Sequence, residues 1–226
     1  MEKTLIIGGS KGIGASILNN LKDQQCINLS RSNPSSTHPN HKHYNFDVTQ
    51  PEFPEIDEVK SLIYCPGTIN LKPFGSLKEA DFLNDFQVNL IGATNCIKHF
   101  FRGMKKQENA SIVLFSTVAV SQGMPFHASI AAAKGAIEGL TRSLAAEFAP
   151  KIRVNCIAPT LTNTPLASSI LRNEDAIERA NNRHPLKQIN SAEDVAQMAS
   201  FLIGDNAKNI TGQIFHVDGG LSSLKI

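Results

Sequence analysis

A single α/β domain is the fold class this sequence predicts, and three observations predict it. Short apolar, β-branched runs alternate with helical apolar patterns along the chain. The first of those runs leads directly through a glycine-rich turn into a helix. The length, 226 residues, is enough to bury one large core, and no composition shift or linker separates a second domain, so residues 1–226 read as one unit.

The charges nearly cancel, 22 Lys and Arg against 20 Asp and Glu, which removes any sequence-wide argument for nucleic acid or an anionic membrane as partner and favours a small molecule. No apolar run approaches the ~20 residues that span a bilayer. Met1-Glu2-Lys3-Thr4 leads into a strand rather than a signal sequence, so the expected location is the cytoplasm. Cys26, Cys65, Cys96 and Cys156 are widely spaced, form no CxxC pair and read as reduced, buried thiols. His38, His41 and His43 have a spacing that can gather a metal, but they read as part of a solvated Pro/Ser/Asn-rich loop without a fourth ligand, and no metal site is expected.

In chain order, Thr4 to Ile7 is the first strand, and Ile13, Ile17, Leu18 and Leu21 are the apolar face of the helix that follows. Between them Gly8-Gly9-Ser10-Lys11-Gly12-Ile13-Gly14 places Gly8, Gly12 and Gly14 as G-x-x-x-G-x-G. That spacing lets the backbone turn sharply, approach a pyrophosphate and aim the first helical N–H groups at it. Glycines in tight turns are common, so an ordinary turn stays open beside the dinucleotide reading. The second strand, Cys26 to Leu29, ends at Ser30-Arg31 with no carboxylate. Where an acid would accept from a free ribose hydroxyl, Arg31 helped by Lys11 would pair with a 2′-phosphate, which favours NADP(H) over NAD(H); the alternative is two solvated surface cations.

Ser32 to Lys42 reads as a loop in place of a crossover helix, Tyr44 to Val48 as a short strand, and Pro51 to Glu58 as a proline-broken connection. A strand from Val59 to Tyr64 leads to Cys65-Pro66-Gly67, where Gly67 permits close backbone approach and Pro66 stiffens the turn. Phe82, Phe86, Leu90, Ile97 and Phe101 mark a long helix from about Glu79 to Met104, with Asn89 inside it. Ser111 to Phe115 is a buried strand ending in Ser116 and Thr117. After Gly123 and Pro125, the alanine-rich helix through Ile137, Leu140, Leu144 and Phe148 carries Lys134 near its start. A strand from Ile152 to Ile157 precedes Pro159, and residues from about Pro165 to Asn182 form a polar helical pattern suited to a mobile cover over a cleft, placed at about 160–190. A helix capped by Ser191 and a last strand, Ile214 to Val217, complete the chain.

These residues resemble the short-chain dehydrogenase/reductase family in order and spacing from Leu5 to Gly220. In that family a strand-end serine, a tyrosine thirteen residues on and a lysine four later surround a nicotinamide ring. Thr117 and Lys134 fit that spacing, and Ile130 stands where the tyrosine would be. Arg153-Val154-Asn155-Cys156-Ile157-Ala158-Pro159-Thr160 resembles the family's R-V-N-x-x-x-P-G, and Ile210-Thr211-Gly212-Gln213 with Asp218-Gly219-Gly220 resembles its carboxy-terminal signature.

The resemblance implies a single-domain Rossmann fold with a doubly wound, seven-stranded parallel sheet, helices on both faces, a nicotinamide cofactor at the carboxyl ends of the strands, and a homodimer or homotetramer built on the two long helices. It implies that Asp47 and Val48 lie at the adenine, that Cys65 and Gly67 line the cofactor, and that Pro159 and Thr164 hold the nicotinamide side. Asn89 would hold a water in a proton relay, Lys134 the ribose, and Thr117 a substrate carbonyl. With no phenol at position 130, His127 is the candidate proton donor, because it lies seven before Lys134, an offset that a double-bond-reducing branch of the family uses for its tyrosine. Its alternative is a loop histidine, and Ser129 is a weaker donor. Two functions follow: an NADP(H)-dependent reductase of a small carbonyl or activated C=C substrate, or an NADP(H)-binding protein without turnover, acting as a sensor or oligomer subunit.

Overall fold

The computed structural model describes residues 2–35 and 38–225. Seven parallel strands form one sheet: β1 Lys3–Ile7, β2 Cys26–Ser30, β3 His41–Asn45, β4 Val59–Tyr64, β5 Ala110–Phe115, β6 Ile152–Pro159 and β9 Ile214–Val217. Their order across the sheet is β3-β2-β1-β4-β5-β6-β9. A two-residue pair, β7 Thr162–Asn163 and β8 Asn190–Ser191, lies apart from it. The helices are α1 Gly12–Asn20, α2 Glu79–Phe86, α3 Gly92–Met104, α4 Ala128–Phe148, α5 Glu174–Asn182 and α6 Ala192–Ile203.

The apolar runs are continuous because a parallel sheet is covered on both faces. Successive side chains leave a strand on opposite sides, so Leu5 and Ile7 enter the layer under α3 and α4 with Leu62, Ile112 and Phe100, whereas Ile6 enters the layer under α1 and α6 with Ile63, Val113 and Leu202. β1 pairs with β2 through Leu5 and Ile27 and with β4 through Leu5 and Leu62. Strand order therefore grows one way from β1 to β3 and the other way from β4 to β9. The chain diverges at β1 and β4, and the crevice that divergence opens lies at their carboxyl ends.

Four expectations change. The third strand is His41–Asn45 rather than Tyr44 to Val48, so Asp47 and Val48 follow the strand instead of ending it. His41 and His43 consequently sit in the sheet, not in a loop, and the His43 ring meets the Asn28 amide at 3.0 Å. Pairing of edge strand β3 with β2 over its whole length outweighs the polar composition that makes this stretch read as a loop. The long helix is interrupted in its hydrogen-bond pattern by a π turn, Gln87–Ile91, which holds Asn89. Of Pro165 to Asn182 only Glu174–Asn182 is α-helical, capped by Asn173, while Pro165–Ala167 is a short 3₁₀ turn. As expected, Ser191 caps α6, accepting from the Asp194 N–H at 3.2 Å while its own N–H donates to the Asp194 carboxylate at 2.7 Å. Among the described residues the four cysteines are free, no His/Cys/Asp/Glu cluster can hold a metal, and no helix is long and apolar enough to cross a membrane.

α1 docks against the turn that precedes it. A Cβ on Gly14 would overlap the Gly8 carbonyl oxygen and stand 2.9 Å from the Gly9 Cα, both backbone atoms that cannot step aside. Gly14→Ala should therefore lower the urea midpoint, costing about 1–3 kcal/mol of stability; an unchanged midpoint would mean that α1 can shift freely on the sheet.

Candidate active site

The glycine turn leaves β1 with Gly8 at φ +80° and begins α1 with Gly12 at φ +54°, a backbone region that only glycine occupies without strain. Gly8 faces the Pro66 ring, and Gly12 faces the Thr164 side chain, where an added Cβ would meet Thr164 at 3.2 Å. The Gly9 N–H donates to Asn28 Oδ1 at 2.9 Å, which ties the turn to β2. Lys11 precedes α1 in extended backbone and makes no capping bond, and the first turn carries no acidic residue. The first N–H groups of α1 are thus open to an anion, which the glycine-lined surface lets approach.

At the far end of this edge, Ser30 is buried. Its hydroxyl accepts from Asn28 Nδ2 and donates to the Ser32 carbonyl, both at 2.9 Å, while Ser32 donates to Ser10 Oγ at 3.1 Å. Arg31 is exposed beyond β2. Asp47 accepts from the Thr49 N–H at 2.8 Å and hydroxyl at 2.7 Å; those bonds, with a smaller contribution from the Arg31 charge, hold its carboxyl below the usual range. Val48 packs against Gly92, where an added Cβ would come within 3.1 Å of it. Tyr64 donates to the Val88 carbonyl at 2.5 Å, joining the end of β4 to the π turn.

Between the ends of β4, β5 and β6 lies a cleft of about 260 Å³. Ile13, Cys65, Gly67, Thr117, His127, Lys134, Pro159 and Thr164 all line it, so residues far apart in the chain, some expected along the cofactor and some in catalysis, meet there. Lys134, on the second turn of α4, is 8% exposed, and its ammonium donates to the Phe115 carbonyl at 2.8 Å. Burial pushes its pKa down to about 8, opposed by Cys156, Cys65 and Asp85. Thr117 accepts from the Ala119 N–H at 3.4 Å, whereas the neighbouring Ser116 donates to Glu138 at 2.8 Å.

His127 directly precedes α4, its Nδ1–H donating to the Pro125 carbonyl at 2.7 Å, and among the described residues the Nε2 of this cleft-lining ring has no hydrogen-bond partner. Ile130 lines the cleft one turn before Lys134. Ser129 is fully buried, lies within reach of Asn70 Nδ2 at 3.4 Å and is not among the cleft residues. Asn89 is 1% exposed behind Lys134, and a Cβ on Gly67 would meet Asn89 Oδ1 at 3.4 Å and Lys134 Nζ at 3.5 Å.

Two further groups, one lining the cleft and one buried behind it, are not singled out by the sequence. His184, 3% exposed, has Nδ1 against the Ala180 carbonyl at 2.7 Å, so its Nε2 accepts from the Thr160 hydroxyl at 2.8 Å; both residues line the cleft with the neighbouring Arg183. The one signal for this pair is Thr160 at a glycine position, because His184 sits in the stretch read as a mobile cover, with no residue in it singled out. Asp85, fully buried, accepts from Thr68 Oγ1 at 2.6 Å, and Thr68 in turn accepts from Asn89 Nδ2 at 3.0 Å. Its signal is a carboxylate three residues after Phe82 and four before Asn89, on an otherwise apolar stripe.

Residues 43–222 match the family model described as enoyl-(acyl carrier protein) reductase. The chain is 32% identical to 2-(S)-hydroxypropyl-CoM dehydrogenase 3 of Xanthobacter autotrophicus over 186 residues, 79% of this chain and 73% of that one. It is 28% identical to 3-oxoacyl-(acyl-carrier-protein) reductase FabG of Staphylococcus aureus, across 97% of this chain and 98% of that one. The solved structure of ElxO with NADP bound superposes with a TM-score of 0.88 at 28% identity, covering 99% of each chain. The seven-stranded parallel sheet, the glycine turn and these relatives agree: the chain belongs to the short-chain dehydrogenase/reductase family of oxidoreductases.

Proposed function

We propose that this protein is an NADP(H)-dependent reductase of a small carbonyl or activated carbon–carbon double bond, in which His127 supplies the proton. The observation that carries the reading is the convergence of Thr117, His127 and Lys134 on one cleft whose wall has Ile130 in the seat four before the lysine. A bound nicotinamide supplies the hydride. Gly8, Gly12 and Gly14 let the cofactor pyrophosphate approach the open start of α1, with Ser10, Lys11 and Ile13 around it. Cys65 and Gly67 border its middle, and Pro159 and Thr164 its nicotinamide end. Lys134 holds the ribose hydroxyls, Asn89 stands behind it, and the Thr117 hydroxyl holds the substrate oxygen.

His127 suits the acid role because its Nδ1 bond to Pro125 orients the ring and leaves Nε2 to carry the transferred proton. The seven-residue offset to Lys134 and the enoyl reductase description of the matching family model support the double-bond branch of the reading. Preference for the phosphorylated cofactor rests on Arg31, exposed at the end of β2 beside Ser30 and aided by Lys11, with Asp47 and Val48 toward the adenine. A homodimer or homotetramer through the long helices belongs to the same reading, supported by the exposed Leu83 and Ile91 on the α2–α3 segment. One observation favours the second reading, a cofactor-binding protein without turnover: Ile130 fills the acid's seat with an aliphatic side chain.

His127→Ala separates the two. The variant should lose about 10²- to 10⁴-fold in NADPH oxidation with a responsive substrate while NADPH affinity, measured by calorimetry, stays nearly unchanged. Unaltered turnover removes His127 from the mechanism, and no turnover in the unsubstituted protein with any carbonyl or enoyl substrate favours the binding protein. Arg31→Ala should weaken NADPH binding about 10-fold or more, the worth of a charge-assisted phosphate contact, and leave NADH binding as it was. Equal losses for both nucleotides would show that Arg31 does not read the 2′ position.

A further inference from the structure

Lys134 is the cation buried in the cleft, and the one hydrogen bond its ammonium makes among the described residues is to a neutral carbonyl. An ammonium so placed needs a counter-charge or further acceptors, since an uncompensated buried charge is expensive. The titratable groups around it are Cys156 from β6, Cys65 beyond β4 and Asp85 from α2. On its own helix, Glu138 is already engaged by the Ser116 hydroxyl and, at 3.6 Å, by Arg142. The two thiols are held in their neutral form by burial, which pushes both up to about 12. Asp85 remains.

Its surroundings are specific. One carboxyl oxygen, Oδ1, takes the Thr68 hydroxyl at 2.6 Å. The other, Oδ2, is buried with no hydrogen-bond partner among the described residues, and so is Asn89 Oδ1 one helical turn further on. Asn89 cannot turn its amide to remedy this, because Nδ2 is spent on the Asp85 carbonyl at 2.8 Å and on Thr68. Asn89 Oδ1 abuts the same point above Gly67 as Lys134 Nζ does. Asn89 Oδ1 thus meets a donor with N–H groups to spare, and Asp85 Oδ2, a turn earlier on the same helical segment and outside direct ion-pair distance of the ammonium, also lacks a donor; buried polar groups so placed are satisfied through an internal water.

We propose that Asp85 is the counter-ion of Lys134, reaching it through a polar space bounded by Asn89 Oδ1 and the Gly67 backbone, and that it acts as a positioning residue that keeps the ammonium charged and aimed into the cleft. The pairing itself is a property of the protein without cofactor; only its consequence for nucleotide binding rests on the function proposed above. Asp85 carries a negative charge that favours the protonated lysine, so neutralising it moves the loss of the Lys134 proton to lower pH.

The test is an NMR titration of side-chain-labelled lysine in the cofactor-free protein, with the Lys134 signal assigned by its disappearance in Lys134→Met. Asp85→Asn should lower the Lys134 midpoint by about one pH unit or more. The pH at which NADPH affinity falls should move down with it, leaving affinity below both midpoints within about two-fold of the unsubstituted protein. An unchanged midpoint in a folded Asp85→Asn protein overturns the pairing. Should that variant not fold, the pairing stands if adding Lys134→Met restores folding, because neither charge then remains, and falls if it does not. Because the titration needs neither cofactor nor turnover, a failure of the proposed reductase activity leaves its outcome readable.

Discussion

The bond from the Lys134 ammonium to the Phe115 carbonyl is the contact on which the cleft depends. It fastens the second turn of α4 to the last residue of β5, and so fixes where Ile130 and His127, one and two turns earlier, stand relative to Thr117 at the strand's end. Burial of a charged amine opposes folding. The opposing cost is offset by the apolar layer beneath, where Ile137 of α4 joins Ile112 and Leu114 of β5, and by the polar groups gathered around Gly67.

That arrangement brings helices close to strand ends. Asn89 and Lys134 meet beside Gly67, Gly14 lets α1 sit on the Gly8 carbonyl, and Gly92 accommodates the Tyr64 hydroxyl and Val48. Each of these glycines lies where a strand end meets a helix, which is where a doubly wound sheet opens its crevice. The π turn at Gln87–Ile91 adds to this by holding Asn89, bonded to Asp85 and Thr68, at the level of the lysine.

The cleft has two unlike walls. On the side of α4 are the ammonium, the threonine hydroxyl and the His127 ring; on the side of the segment after β6 are Leu166, Ile170 and the His184–Thr160 pair. With both His184 nitrogens engaged, one by a carbonyl and one by a hydroxyl, that ring serves as a spacer that ties α5's end to the turn after β6. The function proposed above assigns acid–base chemistry to the α4 wall and shape recognition to the wall that follows β6.

Local pattern was sufficient for much of this. The alternation of apolar runs and helical stripes, the glycine spacing after β1, the Ser191 cap and the Thr117–Lys134 interval are all set by residues near one another in sequence, and each appears in the fold where the chain places it. The sequence by itself also determined that an isoleucine, not a phenol, stands four before the lysine. Tertiary structure alone decided the rest: that His41 and His43 join the sheet edge through pairing with β2, that Ser129 is buried away from the cleft while His127 faces it, and that Asp85 and Asn89 are buried with unpartnered oxygens. Those outcomes depend on which distant elements pack together, and hydrogen bonds and charges between residues tens of positions apart leave no periodicity to read.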